Sequence, residues 1–259
     1  MKKTIVILLA VAMMFTCLTG CGSKTSSDSS KPKLVIATSP DFPPFEELTG
    51  SGAVEGIEID IMQKVCDELG MELVIEQVDF DSVLPGVQAG KYDVGVSGLT
   101  VTEERKQNSL FTDPYCLAAQ AIVVPAGSSI TSKADLAGKK VSVQTGTTAE
   151  SFCMQNGYDV SSFTANNDAE LACVTGKVDA WVIDDLTAAE MVKTYNAANS
   201  DQLVILNEAM TTEPYAFAFK LGQDELVGKI NGVIKKMLDD GSIAAIFAKF
   251  DAPYTSPNA

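Results

Sequence analysis

The chain reads as an α/β protein built in two halves. Short apolar runs alternate with helical patterns, that alternation occurs twice along the chain, and a late β-like segment offers a route back to the first half. Such an order implies mostly parallel sheets with flanking helices, and ligands held at the carboxyl ends of the strands.

The elements follow in order. Leu34–Ala37 and Leu73–Ile75 read as strands flanking a helix in which Ile57, Ile61, Val65 and Leu69 recur every four residues. Met62 and Cys66 lie beside that stripe, and Gly70 is placed to end the helix. A further helix over about Ser82–Ala89 leads to the strand Asp93–Val96. The second half begins near Gln120. Ala121–Val124, Lys140–Val143, Trp181–Ile183 and Leu203–Leu206 read as its strands, and a helix starts at Ala149. Pro214–Phe219 is one β-like run, followed by a helix with Leu226, Ile230, Val233, Ile234 and Met237 on one face and a last helix over about Ser242–Phe250. If this tail packs on the first half, the chain crosses between halves near Tyr115–Ala119 and near Glu213–Phe217, and two crossings make a hinge.

The N-terminus points outside the cytoplasm. Lys2 and Lys3 precede an apolar run, Ile5–Phe15, that is too short for a stable membrane span and has the layout of a secretory signal. Leu18-Thr19-Gly20-Cys21 resembles a bacterial lipobox, which implies cleavage before Cys21 and lipid on its thiol. Acyl chains contribute about 0.8 kcal/mol per buried methylene, so two or three of them anchor a soluble domain to a membrane. The following GSKTSSDSSK has the composition of a flexible tether.

Loss of residues 1–20 removes Lys2 and Lys3 and moves the formal charge from −15 to −17. A chain this acidic lacks the basic footprint that nucleic acid requires. Six cysteines include Cys17 in the signal and Cys21; the others are Cys66, Cys116, Cys153 and Cys173. No CxxC pair and no histidine occur, so neither a metal site nor a cofactor is expected. Cys66 reads as a buried thiol, while Cys153 and Cys173 could pair or stay reduced, a choice that spacing leaves open.

The most chemically specific segment is SGLTVTEER, Ser97–Arg105. Thr102 is an N-cap candidate with Glu103 and Glu104 in the first turn, Gly98 allows close backbone approach, and Arg105 offers a planar fork for a carboxylate. An anion there would meet free amides and a guanidinium together. Taken alone, the same residues also describe an ordinary surface helix start. Gln144-Thr145-Gly146-Thr147-Thr148 supplies a second such terminus in the other half, with Thr148 expected as the cap.

Seven segments occur in order: ATSPDFPPFE (37–46), EGIEIDI (55–61), DFDSVLPGVQAGKYD (79–93), SGLTVTEER (97–105), FTDPY (111–115), QTGTT (144–148) and VDAWVIDD (178–185). Together they resemble the extracytoplasmic amino-acid-binding proteins of ABC uptake systems, bacterial solute-binding protein family 3, over nearly the whole mature chain. The resemblance implies the two-lobed periplasmic-binding-protein-like fold of type II, with lobe 1 at 33–117 and 216–252, lobe 2 at 118–215, a two-strand hinge and a tail at 253–259, after a signal at 1–20 and a tether at 21–32.

The resemblance also implies a ligand clamp. Arg105, Thr100, Gly98 and, from the opposite lobe, Thr148 would hold a carboxylate. Asp184 would hold the ammonium, and Phe42 and Phe80 would cover the side chain. Ser39, where relatives often carry aspartate, argues against lysine or ornithine, and Gln144 suits a neutral polar side chain such as glutamine's. Arginine remains open, since Phe42 and Phe80 can stack on its plane and Asp41, Glu46, Asp81 or Asp185 could supply charge. Trp181 is expected in the core and Asp185 as a capping or solvated residue. The implied partners are an L-amino acid and permease subunits, with the protein itself a monomer. Rival readings on the same scaffold are a cyclohexadienyl-dehydratase-like enzyme and a sensory amino-acid-binding domain.

Overall fold

The computed structural model describes residues 31–200 and 202–258. The signal peptide expected at 1–20, the lipidation site Cys21 and all but the end of the tether at 21–32 lie outside the described residues.

The first lobe is a five-stranded sheet in the order Glu72–Gln77, Lys33–Thr38, Val94–Gly95, Ala218–Lys220, Ser109–Phe111. Its first three strands are parallel, with Lys33 beside Glu72 and Ile36 beside Val94. Ala218–Lys220 is antiparallel to both its neighbours. A strand that arrives from the other lobe necessarily runs against strands that leave towards it. Helices α1 (Ile57–Leu69), α2 (Phe80–Ala89) and α3 (Glu103–Lys106) belong to this lobe.

The second sheet repeats the plan as Asp159–Phe163, Lys140–Gln144, Ala180–Asp184, Gln120–Pro125, Leu203–Ile205, again three parallel strands followed by an antiparallel pairing on each side of the entering strand. The expectation of parallel pairing thus holds for three of five strands in each sheet. Helices α4 (Thr148–Gln155), α5 (Asn166–Val174) and α6 (Asp185–Ala198) flank it. After the return strand, α7 (Asp224–Asp239) and α8 (Ser242–Lys249) close the chain on the first lobe.

Alternating strand residues feed opposite faces, as a period of two requires. In the first sheet Leu34 and Ile36 pack with α1, α7 and α8 through Ile57, Ile61, Val65, Ile230 and Phe247, whereas Ala37 meets Val83 and Val87 of α2 on the other face. Each buried aliphatic of this kind contributes about 1.5–3 kcal/mol. In the second sheet Val141, Val143 and Val182 pack on Ala149 and Cys153 of α4. Trp181 and Ile183 face α5 and α6 in the other layer, so Trp181 is core, as expected. Cys153 and Cys173 therefore lie in different layers; all four described cysteines are free, and burial pushes the Cys153 and Cys173 thiols up to about 12.

Pro214–Phe219 corrects an expectation. It divides into Glu213–Tyr215, paired antiparallel with Cys116–Ala118 between the lobes, and Ala218–Lys220 in the first sheet. Between them the Phe217 amide bonds the Thr112 hydroxyl at 3.0 Å, a side-chain partner in place of a backbone one. The alternating pattern is continuous although the hydrogen-bond partners change. A small sheet of Asp41–Phe42, Glu46–Leu48 and Val54–Glu55, together with the strand Asp159–Phe163 and α5, goes beyond the expected elements.

Gly56, immediately before α1, has φ 146°, and a Cβ there would stand 2.1 Å from the Phe45 carbonyl oxygen. Only glycine lets α1 start against this hairpin, which brings Glu58 of α1 under the same turn that carries Phe42 and Glu46.

Candidate functional site

The loop leaving the strand Val94–Gly95 delivers Ser97–Thr100 to the gap between the lobes. Thr102 caps α3 as expected, its hydroxyl accepting from the Arg105 amide at 3.1 Å. This turns the Arg105 side chain back over the loop. Its Nη1 donates to the Thr100 carbonyl at 2.9 Å, its Nη2 reaches the Gly146 carbonyl of the other lobe at 3.1 Å, and its guanidinium carbon stands 5.9 Å from the Phe80 ring centroid. Burial lowers the Arg105 pKa from its ordinary value, while the nearby carboxylates of Glu213 and Asp184 push it back up.

Gly98 has φ 54°, and a Cβ on it would lie 2.6 Å from Cε1 of Phe42, so this position has to be glycine for the ring to pack. Its amide donates to Glu58 Oε2 at 2.9 Å. Ser97 Oγ donates to Glu46 Oε1 at 3.0 Å and accepts from the Ser39 amide at 3.1 Å. The loop is thus sewn from beneath to two buried acids.

Across the gap the cap of α4 is Thr147, whose hydroxyl accepts from the Glu150 amide at 3.1 Å, and not Thr148. In a Thr-Thr pair the choice depends on which residue keeps extended backbone, here Thr147 with ψ 164°. Thr148 is left free for the gap, where its hydroxyl accepts from Gln120 Nε2 at 3.2 Å. The same Nε2 donates to Asp184 Oδ1 at 2.6 Å, so Gln120, unmarked in the sequence, connects the two expected ligand residues. Asp184 ends its strand with 8% exposure, and its pKa is raised well above the ordinary value by burial and by the neighbouring charge of Glu213. Asp185 is the first residue of α6 and accepts from the Ala119 and Leu186 amides at 3.3 and 2.8 Å, while Asp184 holds the cap position without a side-chain capping bond.

Gln144 is committed elsewhere. Its Nε2 donates to Asp41 Oδ2 at 3.1 Å and to the Thr164 carbonyl at 3.0 Å, and its Oε1 accepts from Asn166 Nδ2 at 3.0 Å. Asp41 also accepts from the Asn166 amide at 2.7 Å, at the start of α5, and from Ser39 Oγ at 3.0 Å. Asp41, Gln144 and Asn166 form a polar latch between the lobes, opposite in position to the Arg105–Gly146 contact.

A cleft of about 650 Å³ between the lobes is lined by Phe80, Thr100, Arg105, Thr148, Thr211 and Glu213, among others. Ser39 and Asp41 border a second cavity of about 440 Å³. Phe42, Gly98, Gln144 and Asp184 border neither of these cavities. Phe42 stacks on Phe45 with centroids 5.7 Å apart and is 8% exposed. The structure therefore joins Phe80, Thr100, Arg105 and Thr148 around one space, adds Glu213 to it, and links buried Asp184 to Thr148 of its wall through Gln120. Among the described residues there is no group of three or more metal-ligating side chains and no helix long and apolar enough to cross a membrane.

Residues 34–252 match the sequence profile of the bacterial extracellular solute-binding proteins, family 3. The chain belongs to that family. The arginine-binding extracellular protein ArtP of Bacillus subtilis is 32% identical over 96% of this chain and 98% of its own length. A probable histidine-binding protein of Neisseria gonorrhoeae is 30% identical over 97% and 96%. Among solved structures, an ancestral arginine-binding protein bound to glutamine superimposes with a TM-score of 0.80 at 37% identity, covering 85% of this chain and 98% of that one; its arginine-bound form gives 0.79. Two-lobed amino-acid-binding proteins thus share the family 3 fold described above, and the family is extracellular by its description.

Proposed function

We propose that this family 3 protein captures L-arginine between its lobes and delivers it to the permease of an ABC importer, without catalysis. Arg105 and Thr100 receive the ligand carboxylate with Thr148 opposite, and Asp184 receives the ammonium. Closing the lobes removes water and strengthens both pairs, and the ligand favours the closed form by its greater affinity for it.

The side-chain assignment rests on the wall of the cleft, where Asp81, Glu104 and Glu213 line the same space as the Phe80 ring and, among the described residues lining it, Arg105 is the one base. A guanidinium can stack on that ring and pair with one of these carboxylates. Glutamine loses its main support, because the Gln144 amide is occupied by Asp41 and Asn166.

A thermal-shift screen of the purified mature protein against the common L-amino acids tests the reading. L-arginine is expected to raise the melting temperature more than L-glutamine does, since a ligand at a hundred times its Kd stabilises by about 2.7 kcal/mol. A shift with glutamine alone would remove the arginine assignment, and a shift with none would remove the binding function.

The protein is further proposed to be held at the membrane by lipid on Cys21. The substitution Cys21→Ser is expected to move it from the membrane fraction to the medium or periplasm. An unchanged membrane fraction would count against the anchor.

A further inference from the structure

Helix α5 begins without a cap of its own. The residue at its N-cap position is Ala165, extended at φ −110° and ψ 145°, whose side chain can accept nothing. In the first turn the Asp168 and Ala169 amides fold back onto the Ala165 carbonyl at 3.2 and 3.3 Å. The Asn166 amide finds its acceptor in the other lobe, at Asp41 Oδ2, 2.7 Å away.

A carboxylate suits that place, since it meets a free amide and the positive end of the helix dipole together. Neutral donors from both lobes hold it there: Ser39 Oγ at 3.0 Å from its own lobe and Gln144 Nε2 at 3.1 Å from the other. Asn166 Nδ2 completes the arrangement by donating to Gln144 Oε1 at 3.0 Å. Asp41 enters no ion pair among the described residues. Burial raises its pKa from the ordinary value, and the hydrogen bond from the Asn166 amide is the largest of the effects that oppose this. The bonds from Gln144 and Asn166 that cross between the lobes all end on Asp41, so all are lost when the lobes part.

We propose that Asp41 is a positioning residue for ligand capture: it caps α5 in trans, so that the helix start is complete only when the lobes are closed, and closure is favoured equally whichever amino acid is held. This rests on capture between the lobes and not on the choice of arginine. Asp41, Gln144 and Asn166 lie outside the lining of the cleft of about 650 Å³, so the latch acts on the closed population and not on the ligand. When the binding-competent form is only partly populated, every apparent Kd is weakened by the same factor.

Two substitutions test the assignment from opposite sides. Asp41→Ala removes the cap. Ala165→Asp gives α5 a charged cap in its own lobe and sets a second carboxylate against Asp41; both positions border the cavity of about 440 Å³, which leaves room for the new side chain. The mature protein is titrated calorimetrically with each of the common L-amino acids, and its ligand-free form is measured by small-angle X-ray scattering. Asp41→Ala is expected to weaken binding about tenfold, by the same factor for every ligand bound, and to enlarge the ligand-free radius of gyration. Ala165→Asp is expected to weaken binding in the same uniform way while melting no lower than the parent, a combination that damage to the fold does not produce. The two changes together should cost no more than Asp41→Ala alone, because they remove one and the same contact. Loss confined to cationic ligands in Asp41→Ala would make the carboxylate a ligand contact and overturn the latch. Parent affinity in either single variant, or losses that add in the double variant, would overturn it as well. If the parent binds no amino acid, capture itself fails, and the scattering comparison still decides the latch: equal radii for parent and Asp41→Ala overturn it, and a larger radius for the variant supports it.

Discussion

Replacing Arg105 with alanine is expected to weaken amino-acid binding about a hundredfold or more, measured by isothermal titration calorimetry. Charge-assisted hydrogen bonds contribute about 1.5–3 kcal/mol each, and a bidentate carboxylate contact contains two. The same side chain bonds the Gly146 carbonyl of the opposite lobe, so its loss also removes a contact of the closed form. Arg105→Lys separates these effects. A lysine restores charge but not the planar fork, and should recover only a fraction of the affinity. Near-normal affinity in Arg105→Ala would remove Arg105 from the site, whichever amino acid is bound.

Asp184→Asn should act oppositely on binding and on stability. Asparagine keeps an oxygen for the Gln120 amide, which donates to Asp184 at 2.6 Å, but has no charge for the ligand ammonium. Removing one partner of a buried charge pair costs about 2–5 kcal/mol, on the order of thirtyfold or more in Kd. In the free protein, however, burial and Glu213 raise the Asp184 pKa well above its ordinary value. The folded state therefore holds the Asp184 proton to higher pH than the unfolded chain does. Stability falls as pH rises from the ordinary aspartate value through the raised one, and the full penalty applies above that window. Asparagine has no such penalty, so the ligand-free variant should melt at a higher temperature than the parent at neutral pH while binding more weakly. A variant that binds normally, or that melts lower in the absence of ligand, would contradict the role given to Asp184. Sites that function by storing uncompensated charge show this opposition between activity and stability.

Local features are legible where their causes are local. The Thr102 cap, the end of α1 at Gly70 and the apolar stripe of Ile57, Ile61 and Val65 each follow from a few neighbouring residues, and the structure has all of them. The Thr147–Thr148 pair shows the limit. Both side chains are competent caps, and the backbone geometry that selects Thr147 comes from how the strand Lys140–Gln144 delivers the chain. Pro214–Phe219 fails for a related reason, since alternation shows that a segment is extended but not which sheet receives it.

The site was harder to read than the fold because its polar groups choose partners across long sequence separations. Gln144 has the chemistry of a ligand contact, yet it is spent on Asp41 and Asn166, more than a hundred residues away in one case. Gln120 carries no motif and becomes visible only when Thr148 and Asp184 are brought to either side of its amide. Glu213 reads as part of a crossing strand, and its place in the cleft wall depends on its pairing with Ala118.

For SGLTVTEER and its counterparts, residue types and order were enough to specify an α/β chain, an acidic one without histidine, and a set of motifs found together in one family. Hydrophobic period, capping and charge are properties of neighbouring residues, and a linear string contains them. Which acid stays charged, which amide is free and which oxygen is left without a donor are properties of burial. Glu46 and Glu58 stand apart in sequence, and only Glu46 is a candidate charge there; folding removes water from both at once, which nothing in the linear order announces.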